Sequence, residues 1–298
     1  MNKKLAVGLI VAFLVLMGVL SVRVVNKPGN TTSLRGSAVV GVIEINGVLG
    51  GEATSLLTGS SADSNRIMKA IRIAAKRPDI KAVIVRINSP GGTAVAAQEI
   101  GIELDKLRKT GKPVVTSMGD VCASGGYWIA CSSDYIVANG TTLTGSIGAI
   151  METTNLEGLY DKLGIRQEVF KSGEHKDIGS SAREITPQER EILQSIVSDS
   201  YTQFLNQVKQ GRKGKIDLLE LENIADGRVF TGETALQLGL VDSVGNYYDA
   251  VKQAEDMAGI TEASRIEVLN SEKLWDSFLL GTRASKLLPA QNMWQLKY

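Results

Sequence analysis

The sequence predicts an α/β domain with a mostly parallel sheet, set behind a single apolar helix at the amino terminus. Three observations predict it. Residues 38–45 (AVVGVIEI) and 82–88 (AVIVRIN) are short β-branched runs, as in strands buried on both faces. Between them, residues 64–76 place Ile67, Ile71 and Ala74 at helical spacing, so strand and helix alternate as crossover units require. Ahead of both, Leu5 to Val22 is eighteen residues without a charge.

That first stretch follows Met-Asn-Lys-Lys and is closed by Arg23. With its flanks it is long enough to cross a bilayer, and it lacks the polar face of a core helix. A cleaved signal peptide is the competing reading, but Ser-Val-Arg-Val-Val after Leu20 offers no Ala-x-Ala-like site. The expectation is an uncleaved transmembrane anchor over residues 1–25. The lysine pair then stays in the cytoplasm and the body lies outside, on the extracytoplasmic face of a cell membrane. Residues 26–37 are rich in Gly, Ser, Thr and Asn and read as a linker.

The body continues with a helix over 94–109 and strands over 114–118, 135–138 and 167–170. Helices are expected over 187–209 and 232–238. No internal repeat is present, so one domain is expected over 38–270, with a tail over 271–298. In the tail Trp275, Phe278 and Trp294 return without clear element limits; fraying, or packing on a neighbouring subunit, would account for them.

The chain has 298 residues, 43% hydrophobic and 22% charged, with a net charge of +1. This argues against a disordered chain or a polybasic nucleic-acid binder. Residues 1–25 hold three cations and no acid, so that +1 less those three leaves the remainder at −2. A single histidine, His175, cannot build a multi-imidazole metal centre within one chain, and no metal or cofactor is expected. Cys122 and Cys131 are too few for a disulfide framework and read as small buried thiols.

Three clusters of small residues sit where strands end. Asn88-Ser89-Pro90-Gly91-Gly92 precedes a helix, where free amides can hold an anion, although a plain tight turn fits as well. Ala123-Ser124-Gly125-Gly126-Tyr127-Trp128 opens another helix. There the Ser124 hydroxyl would lie beside the Gly125 amide, and the Gly92 and Gly125 amides could together hold an oxyanion. Ser124 as an ordinary N-cap is the plainer alternative. Thr142-Leu143-Thr144-Gly145-Ser146-Ile147-Gly148 reads by itself as a turn.

No Gly-x-Ser-x-Gly elbow occurs, and His175 is the sole imidazole for a triad. Its neighbour Lys176 is another possible base, because a desolvated lysine can shed its proton near neutral pH, yet a solvated loop lysine fits the same residues.

Taken together, NSPGG (88–92), ASGGYW (123–128), LTGSIG (143–148), KSGEHKD (171–177) and ADGRVFTG (225–232) resemble, in order and spacing, the signal peptide peptidase A family of membrane-bound serine proteases. The resemblance covers residues 38–250 and implies the Clp protease/crotonase fold of repeated β-β-α units. It implies a Ser/Lys dyad, with Ser124 as nucleophile and Lys176 as general base. Ser146 would orient the lysine, and the Gly92 and Gly125 amides would form the oxyanion hole.

It further implies a homo-oligomeric ring, an octamer in short-form members, with active sites shared between protomers. Signal peptides and other apolar peptides would be the substrates. Cys122 departs from the family's usual small apolar residue; it is expected to pack the same way, with sensitivity to oxidation or mercurials as the second reading. A catalytically silent scaffold of the same ring and a crotonase-type acyl-CoA enzyme are the alternatives.

Overall fold

A computed structural model describes residues 38–50 and 61–271. The expected anchor, the linker and most of the tail lie outside the described residues. Among those described, no helix is long and apolar enough to cross a membrane.

Ten strands and eight helices are described. The sheet grows from β1 (Val39–Asn46), β4 (Ile80–Ser89), β5 (Val114–Ala123) and β6 (Tyr135–Ala138), flanked by β10 (Arg265–Val268) and β9 (Ser243–Val244) in the order β10-β1-β4-β5-β6-β9. All of these pairings are parallel. The two remaining strands of this sheet are β7 (Leu143–Gly145), parallel to the upper part of β5, and β8 (Val229–Thr231), antiparallel to β7. A small parallel pair, β2 (Val48–Gly50) and β3 (Ser61–Asp63), stands apart.

Helices cover both faces, which is why the central strands read as unbroken apolar runs. Alternate residues of β4 separate the two cores: Val83, Val85 and Ile87 join the larger, Ala82 and Ile84 the smaller. The larger is closed by α1 (Ser64–Lys76), α2 (Ala94–Arg108), α3 (Gly125–Ala130) and α5 (Pro187–Gly211). Helix α1 buries Ile67, Ala70, Ile71 and Ala74, and starts at Asp63, whose carboxylate accepts the Asn65 and Arg66 N–H groups. The smaller core is closed by α8 (Tyr247–Met257) through Ala250, Val251 and Ala254.

Two expectations are corrected. Residues 167–170 form no strand. All four are exposed and Phe170 is 93% so, which gives the β-branched and aromatic residues there no sheet neighbour among the described residues. Residues 143–145 are a strand rather than part of a turn, because β5 outruns β6 and leaves Val121 to Ala123 to pair with them. Three further helices are α4 (Glu157–Leu163), α6 (Leu218–Ile224) and α7 (Gly232–Gln237), the last close to its expected span.

Candidate active site

The site forms where β4, β5 and β7 end together. Between Ile87 and Ser89 the β4–β5 register slips, and the Asn88 side chain fills the irregularity. Its Oδ1 accepts the Val121 N–H at 3.1 Å. Opposite, Thr142 Oγ1 donates to the Gly119 carbonyl at 2.7 Å and Asn139 Nδ2 to the Met118 carbonyl at 3.0 Å. These side chains satisfy the backbone where β5 changes partner from β6 to β7. Nothing in composition or periodicity marks Asn139 or Thr142 for that work.

Beyond the irregularity, Ala123 pairs with Gly145, so Ser124 and Ser146 leave adjacent strands side by side. Both adopt positive φ, 54° and 51°, the only described non-glycine residues that do. Such backbone costs on the order of 1–3 kcal/mol and persists only where its surroundings fix it. Around Ser124 the Ser124 N–H donates to the Gly145 carbonyl at 2.9 Å, and the Ser124 carbonyl accepts the Trp128 N–H at 2.9 Å. Ser146 donates its N–H to the Arg228 carbonyl at 2.8 Å, which assigns the ADGRVFTG segment a part in the site.

Helix α3, opened by Ser124, is buried along its whole length. Tyr127 Oη donates to the Leu240 carbonyl at 2.8 Å, and Trp128 packs on Phe204 of α5 in a tilted ring pair with centroids 5.2 Å apart. Ser124 makes no side-chain cap to this helix, so the N-cap reading does not describe it. No backbone hydrogen bond to the hydroxyl is seen among the described residues, in a residue that is only 7% exposed.

The two candidate oxyanion glycines stand on neighbouring turns. Ser89 Oγ accepts the Gly91 N–H at 3.2 Å, turning the chain, and Gly91 adopts φ 104°. The Gly91 carbonyl then accepts the Leu49 N–H at 2.8 Å and Thr93 donates to the Leu49 carbonyl at 3.0 Å. This bridge uses the groups on either side of Gly92 and leaves the Gly92 N–H out. A side chain at Gly92 would put its Cβ 2.1 Å from the Leu49 carbonyl oxygen. Gly125 opens α3, so its N–H lacks an intrahelical acceptor, and a Cβ there would lie 3.5 Å from Gly91 Cα.

Within one chain the structure brings together Ser124, Ser146, Gly92 and Gly125, and it does not bring Lys176 to them. Lys176 is exposed in an irregular segment, and no hydrogen bond links it to either serine among the described residues. No residue from 148 to 188 is buried.

Cys122 and Cys131 are separate, buried thiols. Burial pushes the Cys122 thiol well above its ordinary value and Cys131 up to about 12. A thiol so placed has little thiolate and no solvent access, which favours the packing reading of Cys122 over sensitivity.

Comparison with known proteins decides the family. Residues 106–261 match the model for peptidase family S49. The chain belongs to that family. It is 44% identical over 206 residues to a Synechocystis sp. protein named as a putative protease, covering 68% of this chain and 73% of that one. It is 32% identical over 245 residues to an Enterococcus faecium protein named as a putative signal peptide peptidase SppA, covering 82% and 71%. It is 36% identical to the chloroplastic serine protease SPPA of Arabidopsis thaliana, covering 68% of this chain and 30% of that longer protein.

This S49 chain is thus a serine peptidase, and its fold is a mixed α/β one with a mostly parallel sheet. The silent-scaffold and acyl-CoA readings are not favoured. Of the five motifs quoted above, the family match spans four, from ASGGYW to ADGRVFTG; NSPGG lies ahead of it.

Proposed function

We propose that this S49 peptidase is a membrane-anchored endopeptidase that degrades signal peptides and similar apolar peptides with a Ser124/Lys176 dyad. What supports the reading is Ser124 at the end of β5, held at positive φ with a hydroxyl that makes no cap to its helix, where Gly125 opens that helix within contact distance of the Gly91–Gly92 turn.

In the proposed reaction Ser124 Oγ attacks the peptide carbonyl while neutral Lys176 Nζ takes its proton. The carbonyl oxygen becomes an oxyanion held by the Gly92 and Gly125 N–H groups. As the C–N bond breaks, Lys176 returns the proton to the leaving amine. Water, deprotonated by Lys176, then cleaves the acyl ester and restores Ser124. Ser146, next to Ser124, orients the lysine amine.

A lysine base requires burial, and Lys176 is exposed in the single chain. A neighbouring protomer covering the 148–188 segment would supply that burial, which favours a ring in which Ser124 of one protomer works with Lys176 of the next. The family resemblance suggests an octamer with the Clp protease/crotonase fold. Residues 1–25 would anchor the ring, with the N-terminus cytoplasmic and the protease domain (38–270) outside.

The test is treatment of the full chain with a fluorophosphonate, followed by peptide mapping, and separately incubation with a synthetic signal peptide. Adduct on Ser124, and cleavage lost in Lys176→Ala, are expected; adduct elsewhere, or an uncut signal peptide, would overturn the proposal.

A further inference from the structure

The segment that carries Lys176 has little hydrophobic footing, since residues 148 to 188 include no buried residue and only Ala149 among them packs on the core. Around Lys176 itself the contacts are ionic. Lys171 Nζ donates to the Glu174 carbonyl at 2.8 Å and to Asp177 Oδ1 at 2.7 Å, closing a loop around Lys176. Arg183 then grips Asp177, the residue after Lys176, with Nε on Oδ2 at 3.1 Å and Nη2 on Oδ1 at 2.8 Å.

The same guanidinium reaches Glu189 through Nη1 on Oε2 at 2.8 Å and Nη2 on Oε1 at 2.6 Å. Glu189 sits in the first turn of the 25-residue helix α5, in a capping box with Thr186, and is 2% exposed. Arg183 thus joins two carboxylates with one planar fork, a geometry that a lysine cannot copy. The far partner belongs to α5, which is anchored in the packed core of the same protomer by the fully buried Phe204 and Val208, so the clamp ties Lys176 to a rigid part of its own chain.

We propose that Arg183 is a positioning residue for the reaction, fixing the backbone at Lys176 to helix α5 through Asp177 and Glu189. The proposal rests on the dyad reading, because Arg183 acts only through Lys176. Displacing a base by about 1 Å can cost on the order of 100-fold in turnover without weakening substrate binding. The clamp therefore acts on kcat and leaves KM alone.

The experiment measures kcat and KM for an internally quenched apolar peptide with the full chain and its variants. Arg183→Gln should lower kcat ~100-fold with KM within about twofold, and Arg183→Lys, which keeps the charge but not the fork, should recover part of that loss. Arg183→Gln also leaves the Glu189 carboxylate buried and unpaired, which can itself unfold the segment. The double variant Arg183→Gln/Glu189→Gln removes that charge, and it should fold and still show the kcat loss. A kcat within about twofold of wild type in either folded variant would overturn the proposal. So would a loss confined to KM. Full activity in Lys176→Ala would instead refute the dyad and take the clamp with it.

Discussion

Ser124 shows what the site demands of one residue. Its φ of 54° sits between two backbone hydrogen bonds, to the Gly145 carbonyl on one side and from the Trp128 N–H on the other. Glycine bears that conformation without the strain, so Ser124→Gly should be more stable than Ser124→Ala by about 1 kcal/mol while both are inactive. Chemical denaturation of the two variants checks this; equal stabilities would mean that the backbone there is unstrained. Cys122 gives a second test at this scale. Treatment of the folded enzyme with iodoacetamide should leave activity unchanged and both thiols unmodified by intact mass, because burial has raised both. Ser124 was legible as a serine at a strand-to-helix junction. Its twisted backbone was not, since that arises from pairing with Gly145, twenty-one positions away in the chain.

Among elements, the central strands and the helices α1, α2 and α5 were readable because their apolar patterns answer to one sheet. The short strands β7 and β8 and the false strand over 167–170 were not. Three residues of strand carry too little pattern to separate from a turn, and a β-branched run becomes a strand only where an edge awaits it. Lys176 lies in that less readable region, on a segment held by charge. Arg183 beside Glu189 holds its carboxyl down to about 2, against about 4.3 in an unfolded chain. Because the folded value is the lower one, this stability is complete above about pH 4.3 and drains as pH falls toward 2. Melting temperature should therefore fall through that window, and less steeply in Glu189→Gln, which has no proton to take up. The residual slope belongs to the other carboxylates that arginine partners hold down, among them Asp79, Glu103 and Asp226 near 2, with Asp177, Asp242 and Glu267 also lowered. Identical slopes for wild type and Glu189→Gln would remove Glu189 from the acid response.

On the scale of the whole molecule, half of the proposed chemistry is built into one chain and the other half faces outward. The serines and the oxyanion amides stand on the packed sheet, whereas the lysine stands on a segment with Phe170, Leu163 and Val169 exposed around it. An arrangement completed by a second copy predicts that Ser124→Ala and Lys176→Ala, each inactive alone, regain activity when unfolded and refolded together. Absence of any recovery would place both dyad members in one protomer. Turnover of an internally quenched apolar peptide by the full-length single variants tests the central claim most directly. Ser124→Ala and Lys176→Ala should each lower kcat by on the order of 1,000-fold or more with folding intact. Wild-type turnover in either would contradict the account.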